Sequence, residues 1–252
     1  MNYNENLSVV PFSYKEYSLI LEKYQSRIID FLEVDNNDFV LIRHDVEFSV
    51  ERALGIAYLD AKWSIPSSFL FQVKSNAYNP LSTFNSENIR KICDLGCHVG
   101  LHLYVSHIEA GNWKKLEEEL INQKSIIELI TDRPCDRFSF HRAPKWILEC
   151  RDDYIADTLN VYGKSFFEFN SDPKTIKYLA DSQHRFQYGH PLNDYMQQKI
   201  QILLHPDEWS VDGLNTEKNF RALESEHMLQ FYKTLDSESK HFAKYNPSRK
   251  TK

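Results

Sequence analysis

The sequence predicts an α/β fold in one domain, a (β/α) barrel or a distorted relative of one. Three observations carry that prediction. Short β-rich runs alternate with longer amphipathic stretches, the order of a parallel sheet with covering helices. Several runs are apolar almost without interruption, as strands covered on both faces are. Seven such runs within 252 residues suit one barrel-like domain better than two separate ones.

The elements follow in order. Residues 13–32 carry apolar positions near helical spacing, and FVLIRH at 39–44 reads as the first strand. Ser49 is placed to cap a helix over 50–62, and SSFLFQ at 67–72 is the second strand. A helix over 86–94 ends at Gly96, before the third strand, CHVGLHL at 97–103. The Glu- and Lys-rich stretch 112–130 is helical, RFSFH at 137–141 is a strand, and Pro144 opens a helix over 145–159. Strands are predicted at 161–165, at 176–180 (IKYLA) and at 199–205 (KIQILLH). No linker or repeat divides the chain, so 1–252 reads as one domain. Its core is placed at 37–210, between a helical segment at 1–36 and a helix with a basic tail at 211–252.

Composition narrows the function classes. With 42% hydrophobic and 26% charged residues the chain is globular, and no apolar stretch nears the roughly 18 residues of a membrane helix. Residues 1–10 lack a basic region followed by an apolar one, which predicts a cytoplasmic address. A net charge of -6 opposes non-specific nucleic-acid binding. The four cysteines form no C-x-x-C pair and read as reduced, buried thiols. Only seven glycines occur, with no G-x-G-x-x-G and no G-x-x-x-x-G-K, which argues against dinucleotide and P-loop folds. The tail holds Lys240, Lys244, Arg249, Lys250 and Lys252 and reads as a solvated end, or as a weak contact for an anionic membrane or lipid-linked substrate.

Chemistry concentrates at the carboxyl ends of the predicted strands, where parallel α/β folds build their sites. Asp45 and Glu47 follow the first strand; one could hold a metal while the other takes a proton from water, or both could favour the next helix terminus. His98 and His102 are spaced to ligate one ion on a helix, but on a straight strand they lie about 13 Å apart. Ligation by both therefore needs the backbone to curl after Val99, which Gly100 permits. Arg142 ends the fourth strand and can clamp a carboxylate, Asp181 ends the sixth and His205 the last. Tyr104, Trp146 and Trp209 adjoin these positions, as platforms for a sugar ring or as core packing. His44 and His141 border the same strand ends without an assigned role.

The order of these motifs resembles the polysaccharide deacetylase (NodB-homology) family, also called carbohydrate esterase family four. Within it the chain is similar to a divergent branch with an R-H-D-V-D opening among surface-polysaccharide biosynthesis proteins, the WbmS-like group. The resemblance spans 39–209 and is most specific from YNPL at 78–81 through LGCHVGLHLY at 95–104. It implies a distorted, partly open (β/α)7 barrel. Carried over by residue, Asp45 is the catalytic base, Glu47 with His98 and His102 hold a divalent metal, most simply zinc, and Arg142 orients the base. The Lys145 N–H is an oxyanion donor, and Asp181 tunes the general acid His205. The opening departs from the family's T-F-D-D, Glu47 replaces an aspartate, and Cys97-His98 replaces a G-H pair. The implied reaction removes an acetyl group, N-acetyl foremost, from a sugar or glycan precursor carried on a nucleotide, lipid or polymer. The alternatives are another amide or C–N hydrolase on the same scaffold, and a binding protein of a glycan-assembly complex without turnover.

Overall fold

A computed structural model describes residues 9–35, 37–168 and 175–242 of the chain. The basic residues Lys244, Arg249, Lys250 and Lys252 lie outside the described residues. The fold alternates as predicted. Helix α1 (Tyr14–Tyr24) precedes strand β1 (Phe39–Val46), followed by α2 (Val50–Lys62), β2 (Ser68–Phe71), α3 (Thr83–Asp94), β3 (His98–Tyr104), α4 (Trp113–Thr131) and β4 (Arg137–His141). A single turn α5 (Lys145–Leu148), the short strands β5 (Tyr154–Ile155) and β6 (Thr158–Asn160), then β7 (Lys177–Ala180), β8 (Lys199–Leu204) and α6 (Thr216–Glu238) complete it.

The strands form one sheet in the order β5-β6-β4-β3-β2-β1-β8-β7. Every pairing is parallel except β5 with β6. The sheet curls into a half-barrel and stays open, with β5 and β7 as its edges. All eight residues of β1 are buried, as a strand between two packed layers requires. Its alternate residues separate those layers. His44 faces the helices, with Nε2 3.1 Å from Asp60 of α2 and 3.3 Å from the Tyr17 hydroxyl of α1. Arg43 and Asp45 face the interior, towards Tyr162 and Ser139.

Helix ends follow the local chemistry. The Ser49 Oγ accepts the Arg52 N–H at 3.1 Å, and Gly96, at φ 91°, turns the chain after α3 through a conformation few other residues adopt. Three expectations need correction. The strand expected at 161–165 lies earlier, as β6, where Ala156 and Asp157 at φ 45° and 55° form a tight hairpin turn without the usual Gly or Asn signal. The helix expected over 145–159 stops at Leu148, because that hairpin claims the following residues for the sheet edge. Gly100 does not curl the chain: β3 runs unbroken from His98, and a Cβ at Gly100 would meet the Arg137 carbonyl oxygen at 2.5 Å. Its role is close packing against β4.

The chain divides into two compact units, Met1–Gly213 and Leu214–Lys252. In the second, Asn215 caps α6, its Oδ1 accepting the Lys218 N–H at 2.9 Å, and Glu217 pairs with Arg221 one turn on at 3.0 Å. Among the described residues no helix is long and apolar enough to cross a membrane.

Candidate metal centre

Strand alternation builds the site in the first unit. Residues i, i+2 and i+4 of a strand share a face, so Arg43, Asp45 and Glu47 form one inward row along β1 and just past its end. In β4 the inward row is Arg137, Ser139 and His141, and the register sets Ser139 beside His102 and His141 beside Tyr104 of β3. The hydroxyl of Tyr78 ties the strand ends together, donating to the Val46 carbonyl at 2.8 Å and accepting the Gln72 N–H at 2.9 Å.

Three side chains converge at the carboxyl ends of these strands. Glu47 Oε1 lies 2.8 Å from His141 Nδ1 and 3.3 Å from His102 Nε2, and the two ring nitrogens are 3.2 Å apart. Tetrahedral coordination with bonds of about 2.0–2.1 Å spaces neighbouring donor atoms about 3.3–3.4 Å apart, so the set fits one divalent ion closely. The donor types, two imidazoles and one carboxylate, suit zinc. Behind the site His102 Nδ1 donates to Ser139 Oγ at 2.6 Å, and Ser139 donates to Asp45 Oδ1 at 3.0 Å. With its proton committed to Nδ1, His102 presents the Nε2 lone pair to the site. Burial pushes the Glu47 carboxyl up, but the histidines around it, His102, His141 and His205, prevail and hold it well below the usual carboxylate range.

Opposite stands a second histidine system. His205 Nδ1 lies 2.6 Å from Asp181 Oδ1 and its Nε2 is 4.0 Å from Glu47 Oε1. Asp181 is fully buried and is held by the His205 backbone N–H at 2.9 Å and the Trp209 indole N–H at 2.8 Å. Burial lowers the His205 pKa, yet the Asp181 carboxylate outweighs it and pushes the value up to about 10, so the ring is an imidazolium at neutral pH. Burial, with help from the nearby Glu208, Glu47 and Asp181 charges and against that of His205, pushes the neighbouring Asp207 carboxyl up to about 7. These groups open into a pocket of about 420 Å³ whose walls include Phe48, Tyr162, Tyr178 and Leu148.

The structure therefore gathers Asp45, Glu47, His102, Asp181 and His205 at one end of the sheet. It does not bring His98 there. On an unbroken strand His98 sits at the opposite end, its Nδ1 accepting from Arg137 at 3.2 Å and its Nε2 3.4 Å from Asp30. Arg142 lines the pocket with an exposed side chain at φ 50°, and makes no ion pair among the described residues. The guanidinium beside Asp45 belongs instead to Arg43, fully buried and 3.8 Å away. Lys145 stands outside the pocket wall, which Ala143 and Leu148 provide. Trp209 is 1% exposed, so it is a core residue that braces Asp181 and not an open platform. Tyr104 stacks on His141 at 5.2 Å, and Trp146 meets Trp113 in a separate groove.

Sequence reasoning missed His141 and Arg43. Both had a signal in the two-residue period of the strands: Arg43 precedes Asp45 by two, and His141 ends the same inward row as Ser139.

No protein-family profile and no curated protein matches the sequence. Solved structures do. A family 4 carbohydrate esterase from Bacillus anthracis is 16% identical, with 89% of this chain and 91% of that chain covered at a TM-score of 0.43. The peptidoglycan deacetylase PdaC of Bacillus subtilis is 12% identical, with 81% and 98% covered at 0.42. A CE4 family pseudoenzyme from Bacillus anthracis is 13% identical, with 77% and 62% covered at 0.44. The chain thus spans under two thirds of that pseudoenzyme's length. Deacetylases and pseudoenzymes stand side by side among these neighbours, so the chemistry is read from this chain's own side chains.

Proposed function

We propose that the protein is a metal-dependent deacetylase that removes an acetyl group, N-acetyl foremost, from a sugar of a glycan or glycan precursor in surface-polysaccharide biosynthesis, on the WbmS-like branch of the family it resembles. One observation carries the reading: Glu47, His102 and His141 point three lone pairs at one spot in a pocket that a protonated His205 also faces.

Glu47, His102 and His141 would hold the ion, which supplies Lewis acidity for a carbonyl and for an attacking water. The protein's own groups do the rest. Asp45 lines the pocket with Arg43 as counter-charge and takes the proton of the attacking water. Ser139 and Asp45 keep the His102 proton on Nδ1 throughout. His205 presents Nε2–H to the pocket and delivers that proton to the departing nitrogen, while Asp181 steadies the imidazolium. Amide cleavage needs this donor more than ester cleavage does, because an unprotonated amine is the poorer leaving group.

The test is to strip the protein, reconstitute it with zinc, cobalt or nickel, and measure metal per chain together with acetate released from N-acetylated oligosaccharides. One ion per chain and metal-dependent acetate release are expected; absence of stoichiometric metal sinks the reading. Stoichiometric metal without acetate would favour the non-catalytic alternative, towards which the unengaged Arg142 already points.

A further inference from the structure

A second concavity lies between the start of α4, the turn α5 and the edge strand β5. It measures about 750 Å³, within the range of about 300–1,000 Å³ typical of small-molecule sites. Its walls carry Trp113, at the start of α4, and Trp146 of α5, whose rings meet edge to face at 4.9 Å. Trp113 remains 40% exposed and Trp146 is half-buried against it, so indole surface is open to the groove. The short turn α5 divides this groove from the candidate metal pocket: Leu148 lines the pocket and Trp146 lines the groove. Residues two apart on a helix point about 200° apart, so one turn of chain serves both cavities.

The chemistry of the groove is specific. An indole face carries the negative side of its quadrupole and attracts polarised C–H groups, and one face of a pyranose ring is a plane of such groups. Around the indoles stand three exposed carboxylates; Glu149 is paired with Lys145 at 3.8 Å, and Glu117 and Asp152 make no ion pair among the described residues. Arg151 is the lining's cation among the described residues, and it is engaged by Glu168 at 3.7 Å and by the Phe167 carbonyl. Acidic charge around an aromatic pair disfavours an anionic sugar and favours an amine-bearing one.

We propose that the Trp113–Trp146 groove is a second sugar-binding site that takes an amine-bearing, already deacetylated residue of the same glycan chain whose acetylated residue occupies the metal pocket. The inference rests on the deacetylase reading for its substrate and sharpens it. The substrate is an oligomer or polymer, and the product of one turnover becomes a recognition element for the next.

The test is isothermal titration calorimetry of the intact wild-type protein with a glucosamine tetrasaccharide, which has no acetyl group left to lose, and with its fully N-acetylated counterpart. The glucosamine tetramer should bind more tightly, with an affinity that falls as salt is raised. Trp113→Ala should weaken its binding by about tenfold or more, the scale of one lost aromatic contact. Glu117→Gln with Asp152→Asn should weaken the amine-bearing tetramer and leave the acetylated one unchanged, a charge effect that misfolding would not mimic. Tetramer binding that ignores Trp113, no binding of either tetramer, or preference for the acetylated one would overturn the proposal. Binding that depends on Trp113 in a protein that releases no acetate would sink the deacetylase reading instead, so the two failures are distinct.

Discussion

The two ends of the half-barrel interior are built from the same strands and nearly the same residue types, yet they differ in what completes them. At the amino end Arg137 donates to both oxygens of Asp30, to Ser68 and to Asp136, and offers a proton to His98. At the carboxyl end Glu47, His102 and His141 face one another with no permanent cation among them. Burial first, and then Arg137, push the His98 pKa down, so His98 is a neutral member of an ion-pair cluster that is already balanced. In the other cluster Arg43 answers Asp45 and the His205 imidazolium answers Asp181, so Glu47 is balanced only when a cation or extra protons enter between it and the two histidines. The difference teaches that a His–carboxylate grouping is a site or a strut according to whether the fold supplies its own positive charge.

The sharpest way to break this comparison is His141→Ala beside His102→Ala. Each removes one of three donors, so metal per chain and acetate release should fall by more than the roughly 10–100-fold that loss of a supporting partner costs. Retention of stoichiometric metal in His141→Ala would show that the convergence at the carboxyl end is another strut. Next in size is Arg137→Met, which strips the opposite end of its cation and leaves the Asp30 carboxylate buried and uncompensated. Denaturant unfolding should report a loss of about 3–5 kcal/mol, with metal per folded chain unchanged. A fall in metal affinity as large as that of His141→Ala would mean the two ends are coupled.

How far these ends were legible in the sequence follows from which rules are local. The helix α2 and its Ser49 cap, the strand β1 and the strand β4 were readable because propensity, capping and apolar runs act within a few residues. So was the end of the sheet where Asp45, Glu47, His102 and His205 gather, because parallel strands present their carboxyl ends together. The histidine pair was not. Four residues span one helical turn or about 13 Å of strand, and the choice between them was settled by β2 and β4 pairing on either side of β3. Strand alternation puts His141 on the inward row with Ser139, but only register, which no neighbour in the chain reveals, sets it beside Tyr104. The β5–β6 hairpin escaped because Ala156-Asp157 turns tightly without a turn signature.

Charge at the carboxyl end is tested by Asp181→Asn. His205 is raised from the ordinary histidine value of 6.5 to about 10, so its acid-competent form persists below about 10 and is lost above it. Removing the Asp181 charge leaves burial, which favours the neutral ring, against the weaker pull of Glu47 and Asp207, so the alkaline limb of kcat/KM should move down towards neutrality. At mildly alkaline pH the variant should lose about tenfold or more in amide cleavage, at the modest end of what general acids contribute. An unmoved limb would assign that titration to another group.

The smallest effect is expected where the sequence alone suggested one of the largest. His98→Ala removes an imidazole that is 38% exposed at its side chain and whose nearest contacts, 3.2 Å to Arg137 and 3.4 Å to Asp30, are the long ones of its cluster. Arg137 keeps both oxygens of Asp30 without it, so no buried charge is orphaned, and the loss should be about 1 kcal/mol or less. Metal per chain and acetate release should match the wild type. Loss of metal in His98→Ala would require β3 to bend in solution and bring His98 alongside His102, and the distinction between strut and site would then lie in the motion of one strand instead of in the charge supplied at its two ends.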